Sequence, residues 1–244
     1  MKKRYHLLDG IRGLVLISMI LYHASWNLVY IYGMDWKWYR GTWAHLWQQS
    51  ICWTFILLSG FCYSMGGRHL KRGLQVFGGG LLVTVVTLLV MPQNRVVFGV
   101  LTLIGSCMLL MIPLQKLLKR VKPEIGIAVS ALLFILTGNI NQGYLGFGEW
   151  NIIRVPRILY SNLFTTYLGF PEPAFFSTDY FPLMPWLFLF VAGYFLYHIL
   201  NRRDILQKRF FEKNIPILGF LGKHSLLIYL LHQPLLYVGM EFFL

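Results

Sequence analysis

Apolar runs long enough to cross a lipid bilayer recur along the chain, and they decide most of what it can fold into. A hydrocarbon core about 30 Å thick needs roughly 20 apolar residues in helical form. Seven stretches approach or meet that length: 13–32, 48–65, 74–91, 97–114, 125–137, 182–199 and 225–243, the fifth being the shortest. Composition agrees, with 57% hydrophobic residues and 13% charged, the latter about half the ~25% of a soluble domain. The 17% of aromatic residues is the opposite of a disordered composition. The sequence predicts an all-α, polytopic helical bundle of about seven transmembrane helices, forming one integral-membrane domain over residues 1–244.

The start, MKKRYHLLDGIRG, leads into the first run with no small-residue cleavage site, so it reads as a retained helix rather than a removed signal peptide. Residues 138–181 are rich in Gly, Pro and aromatic side chains and read as a long extracytoplasmic or re-entrant segment. A partial helix near 156–168 would let it lie at membrane depth. Cys52, Cys62 and Cys107 lie inside apolar runs and read as small buried hydrophobes, with no zinc spacing.

The net charge of +13 has a topological pattern. With seven crossings, Lys2, Lys3, Arg4, Arg68, Lys71, Arg72, Lys116, Lys119, Arg120, Lys122, Arg202, Arg203, Lys208, Arg209, Lys213 and Lys223 fall in alternate loops on one side. The opposite side holds Lys37, Arg40, Arg95, Arg154 and Arg157, while Arg12 stands at the mouth of the first helix. The positive-inside rule then puts the N-terminus in the cytoplasm and the C-terminus outside. This accounts for the basic excess without nucleic acid as a partner.

Ionisable groups at membrane depth are costly and mark function by default. His23 follows Arg12 by eleven residues, three helical turns, which puts both side chains on one face about 16 Å apart. Asp9 is at ion-pair spacing from Arg12 if the helix extends back that far. In GKHSLLIYLLHQP, His232 follows Lys223 by nine residues, about 13 Å deeper, so it reaches nearly the depth of His23, which suggests a single polar chamber. The bland alternative has His232 capping the carbonyl freed by Pro234. His224 reads as an interfacial structural residue. Ser59-Gly60 either permits close helix packing or lines the chamber. Asp179, before Pro182 and Pro185, either orients an acceptor or caps a helix. Trp26, Trp36, Trp38, Trp43 and Trp47 form either an interfacial aromatic belt or a sugar-stacking surface. The deep histidines have no carboxylate or thiolate at ligand spacing, so no metal is expected.

Four blocks, LDGIRGLVLISMILYHASWN, FILLSGF, DYFPLMPWLFLFVAGYF and LGKHSLLIYLLHQPLL, span most of the chain. They resemble the catalytic domain of the heparan-alpha-glucosaminide N-acetyltransferase family and, more distantly, the acyltransferase-3 membrane enzymes. The Arg12-x10-His23 spacing is similar to the signature of the latter. The resemblance implies a transmembrane acyltransferase that moves an acetyl or other short acyl group from cytoplasmic acyl-CoA, in the first place acetyl-CoA, to an extracytoplasmic amino sugar or glycan, in a multi-pass protein of the cell (plasma) membrane. His23, Arg12 and His232 would be catalytic, with Asp9, Ser59 and Asp179 in support. Arg12, Lys223 and Ser225 would hold the CoA, and Trp26, Asn27 and His45 the acceptor. In the heparan enzymes an asparagine matches His23 and the catalytic histidine lies in the first luminal loop, where this chain offers His45.

His23 would act as general base or carry the acyl group covalently. The main rival is a proton-coupled transporter or flippase, since mid-membrane histidines and broken helices mark carriers too. An intramembrane serine protease lacks a Gly-x-Ser context at Ser59, and a retinal protein would need a lysine inside the last helix.

Overall fold

The computed structural model describes residues 5–213 and 215–243, so Lys2, Lys3 and Arg4 of the predicted cytoplasmic set lie outside the described residues. The long helices are α1 (His6–Tyr30), α2 (Thr42–Tyr63), α3 (His69–Val90), α4 (Val100–Leu118) and α5 (Pro123–Leu136). A hairpin of β1 (Tyr144–Phe147) and β2 (Trp150–Arg154) and the short α6 (Leu163–Leu168) follow. Then come α7 (Leu183–Arg202), the short α8 (Pro216–Lys223) and α9 (Ser225–Phe243).

Local chemistry explains the boundaries. The first helix starts at His6, earlier than predicted, because its first turn holds Asp9, an anion favoured at a helix N-terminus. Pro123 occupies the first position of α5 with Glu124 behind it, where a missing N–H costs nothing. Asn162 opens α6 with a reciprocal capping box to Thr165.

Among the described residues six helices are long and apolar enough to span a membrane: α1, α3, α4, α5 with the turn that continues it to Gln142, α7 and α9. Helix α2 is long but is not one of them, because Gln48 and Gln49 interrupt its apolar run. The outward faces fit lipid. On α3, Leu81, Leu82, Val85, Leu89 and Val90 are exposed, a patch that water would not tolerate but that hydrocarbon accepts. The chain is an integral, multi-pass membrane protein built mainly of helix.

Two compact units divide the chain: one runs to Leu58 and resumes at Leu200, and the other is Ser59–Ile199. In the first unit, Leu16, Met19 and Ile51 form a core against Tyr22, Trp47, Phe55, Leu221 and Ile228. Helix α8 packs on the start of α1 at backbone distance. A side chain at Gly13 would strike the Leu218 carbonyl, and one at Gly222 the Asp9 carbonyl. Small residues give lipid-embedded helices this close van der Waals contact. Further along, Trp47 Nε1 donates to Ser18 Oγ at 2.8 Å and the Tyr39 hydroxyl to the Tyr22 carbonyl at 2.9 Å. Burial and that hydrogen bond raise the Tyr39 phenol above its ordinary value.

In the second unit, Gly80 faces the Thr102 backbone and Gly105 the Phe77 backbone, so α3 and α4 also meet closely. At Gly60 the last part of α2 abuts the Phe190 carbonyl of α7. Residues 94–100 are zipped to 176–181. Thr178 N donates to Arg95 O at 3.1 Å, Phe181 N to Phe98 O at 2.8 Å and Val97 N to Ser177 Oγ at 2.9 Å.

The 138–181 segment departs from expectation. The partial helix expected near 156–168 is present over 163–168, but a hairpin that the sequence did not announce precedes it. Gly146, at φ +145°, sits at a register shift opposite β2, and Gly148, at φ +58°, opens the turn. Asn139 clamps the turn, its Nδ2 donating to Gly148 O and Asn151 Oδ1, both at 2.9 Å.

Candidate functional site

Helix α1 presents His23 and, one turn on, Asn27, and α9 presents His232 and Gln233. The two imidazoles meet with ring centroids 4.9 Å apart and planes at 56°. Asn27, 1% exposed, donates through Nδ2 to Gln233 Oε1 at 3.2 Å, which ties the two helices together beside the histidine pair. The Asn27 Oδ1 is buried with no hydrogen-bond partner.

His232 has a defined polarity. Its Nδ1 is in hydrogen-bond contact with the Tyr229 carbonyl. A carbonyl oxygen only accepts, so the proton sits on Nδ1, and in the neutral ring Nε2 carries a lone pair. That Nε2 is buried and has no hydrogen-bond partner. Pro234 withholds its N–H from the Leu230 carbonyl, four residues back. His232 therefore does not cap the carbonyl that the proline frees, but the one before it.

Toward the start of α1, Arg12 Nη1 donates to Asp9 Oδ1 at 3.2 Å, both side chains being largely buried. Helix α1 is unbroken from His6 to Tyr30, so Arg12 and His23 do share a face at about 16 Å. Lys223 is placed differently from the expectation. It closes α8, and α9 starts only at Ser225, so a depth counted along one helix from Lys223 to His232 does not apply. The break falls at His224, whose Nδ1 bonds the Phe220 carbonyl at 2.9 Å. The neighbouring Gly222 lies on the Asp9 backbone, which brings Lys223 to the Asp9–Arg12 end of α1 by another route.

The remaining predicted residues scatter. His45 is exposed in the first turn of α2. Trp26 pairs with Tyr30, centroids 5.3 Å apart, while Trp36, Trp38 and Trp47 stack nearly parallel at 5.9 and 6.4 Å. Ser59 adjoins the Gly60–Phe190 contact in the second unit, the packing alternative. Asp179, also in the second unit, accepts from Val100 N at 3.4 Å and so meets the first turn of α4 rather than the helix it precedes. Gly99 leaves room for that carboxylate. Burial pushes the Asp179 carboxyl up to about 6, against the lowering pull of the Val100 N–H.

Sequence reasoning missed Gln233, although an amide next to His232 in HQP was a visible signal. It also missed Tyr63, His69 and His198, whose only mark was that they fall near the ends of predicted helices.

The fold and the paired imidazoles define a polytopic membrane protein with a polar centre between its first and last long helices. Over residues 4–234 the chain matches the family described as heparan-alpha-glucosaminide N-acetyltransferase, catalytic. It belongs to that family, which makes it a membrane acetyltransferase. No curated protein and no solved structure matches it.

Proposed function

We propose that the chain transfers an acetyl group from acetyl-CoA on the cytoplasmic side of the membrane to an amino sugar or glycan on the outer side. The observation that carries this reading is the His23–His232 pair, with the bare Nε2 of His232 fixed by the Tyr229 carbonyl. The basic residues support the sidedness. Counted with α2 as a crossing, the long helices would put Arg68, Lys71, Arg72 and Lys116–Lys122 on one side and Lys37, Arg40, Arg95, Arg154 and Arg157 on the other. The basic side would be cytoplasmic, with the plasma membrane as the setting.

Arg12, Lys223 and Ser225 would hold the CoA phosphates, a guanidinium suiting bidentate contact and an ammonium a point contact. The acceptor amine or hydroxyl attacks the thioester carbonyl. A C–N or C–O bond forms, the C–S bond breaks, and the acceptor proton passes to His232 Nε2 and from there to the CoA thiolate. His23 and the free Oδ1 of Asn27 would orient the acceptor, with Trp26 against a sugar face. A positioned base is worth typically about 10²–10⁴-fold.

Incubating the purified protein with labelled acetyl-CoA and a panel of amino sugars and glycans tests the reading. Acetyl-CoA consumption with label on an acceptor is expected. Uptake of solute into proteoliposomes with no acetyl-CoA consumed would instead identify a carrier.

A further inference from the structure

A second cluster of chemistry-bearing side chains lies wholly within the Ser59–Ile199 unit, where α2 ends, α3 begins and α7 nears its end. Tyr63 stacks on His69 with centroids 4.1 Å apart and planes at 25°. Tyr194 packs edge-on against His198 at 4.5 Å, and the His198 Nε2 lies 3.4 Å from Ser64 Oγ. The phenols of Tyr63 and Tyr194 are near enough to interact electrostatically. Both residues are almost fully buried, 3% and 2% exposed, and neither hydroxyl has a hydrogen-bond partner.

Two neighbouring phenols left in this state are not explained by packing. Phenylalanine would fill the same space, and an unmet buried hydroxyl is destabilising. Cations lie along the neighbouring turns, beside Gly66 and His198. Arg72 lays its guanidinium over Gly66, where a side chain would collide with it, and the charge of Lys119 acts on His198. Arg68 and Arg120 lie in the two loops there, and Lys71 and Lys116 on the adjoining turns of α3 and α4. The set offers hydroxyl, imidazole, guanidinium and ammonium donors, and neither 64–72 nor 116–122 contains a carboxylate.

We propose that this cluster binds a phosphate group, with the Tyr63 and Tyr194 hydroxyls donating to its oxygens and Arg72 and Lys119 balancing its charge. Phosphate is the oxyanion that suits a forked guanidinium backed by point-charge donors. The phosphate can come from a nucleotide or from a lipid headgroup. The proposal does not rest on acetyl transfer, because binding is read directly.

The test uses full-length protein in detergent and in nanodiscs. Adenosine 3′,5′-bisphosphate and inorganic phosphate are titrated in detergent, and thermal unfolding is compared in phosphatidylcholine with and without phosphatidylglycerol. A shift that the variants below weaken supports the site: with bisphosphate alone it names a nucleotide, with phosphatidylglycerol alone a headgroup, and with inorganic phosphate the bare anion. The Tyr63→Phe/Tyr194→Phe pair is expected to keep or raise the unliganded melting temperature while weakening the responsive probe about tenfold, and Arg72→Gln to weaken it as much. No shift with any probe, unchanged binding in the variants, or loss of unliganded stability in the Phe pair overturns the proposal.

Discussion

The His23–His232 pair and the Asp179 loop treat the same kind of residue in opposite ways. In sequence, each is an ionisable group flanking or interrupting an apolar run. In the structure Asp179 is held by its neighbours: the Val100 N–H points at its carboxylate and the 94–100 and 176–181 backbones are zipped around it. His232 keeps an unmatched nitrogen. One ring atom is anchored on Tyr229 and the other is buried with lone pair to spare. A carboxyl clasped between two zipped backbone segments belongs to the scaffold, whereas an imidazole anchored through one nitrogen keeps the other for the proton of the proposed reaction.

The largest expected effect follows from that contrast. His232→Gln removes the basic nitrogen while keeping a polar side chain of similar reach, and acetyl transfer is expected to fall about 10²–10⁴-fold with little change in melting temperature. His23→Gln is expected to fall comparably if the rings act as a unit. Initial rates with labelled acetyl-CoA and a responding acceptor measure both. Full activity in His23→Gln would remove the pair from the mechanism.

Next in size is the contact that positions the start of α1. Gly13→Ala drives a methyl into the Leu218 carbonyl and is expected to cost about 1–3 kcal/mol or more, as overpacking does. Gly10, on the same helix, has nothing within 4 Å of an added Cβ. Gly10→Ala should therefore stabilise by about 0.5–1 kcal/mol through helix propensity alone. Melting temperatures of opposite sign would locate the α1–α8 contact, and equal shifts would deny it. Smaller again is Asn27→Leu, which breaks the amide bond to Gln233. It is expected to lower turnover about tenfold, since a misplaced group can cost as much as 10², and a rate equal to wild type would leave the amide pair a structural tie only.

Much of this architecture is legible in the residues themselves. The apolar runs mark the long helices, and the last, 225–243, agrees at both ends with α9. The Arg12–His23 face follows from spacing, because a helix without Pro keeps its period. The rest depends on contacts between distant parts of the chain. The break between Lys223 and Ser225 carries no Pro or Gly at the joint itself, and it shows only once Gly222 is seen against the Asp9 backbone. The hairpin is obscured because YLGF and WNIIR are too short for a two-residue period to stand out among aromatic residues. Gln48 and Gln49 leave α2 less apolar than its neighbours. The Asn27–Gln233 bond joins residues 206 positions apart, beyond the reach of any local pattern.

The smallest effect tests the other half of the comparison. Burial raises the Asp179 carboxyl from 3.8 to about 6, so the folded chain binds that proton more tightly than the unfolded chain does. Stability from this group is therefore present in full below pH ~4 and is lost as pH rises through about 6. Two decades correspond to at most ~3 kcal/mol, and a partly exposed side chain realises less, on the order of 1 kcal/mol. Between pH 7 and pH 5 the wild-type melting temperature is expected to rise relative to Asp179→Asn, which has no proton to gain, while the variant's acetyl transfer at neutral pH stays near wild type. Parallel melting curves across that range would show that the carboxylate is already at ease in its loop. A large activity loss at unchanged stability would instead move Asp179 from the scaffold to the acceptor, and the contrast with His232 would no longer hold.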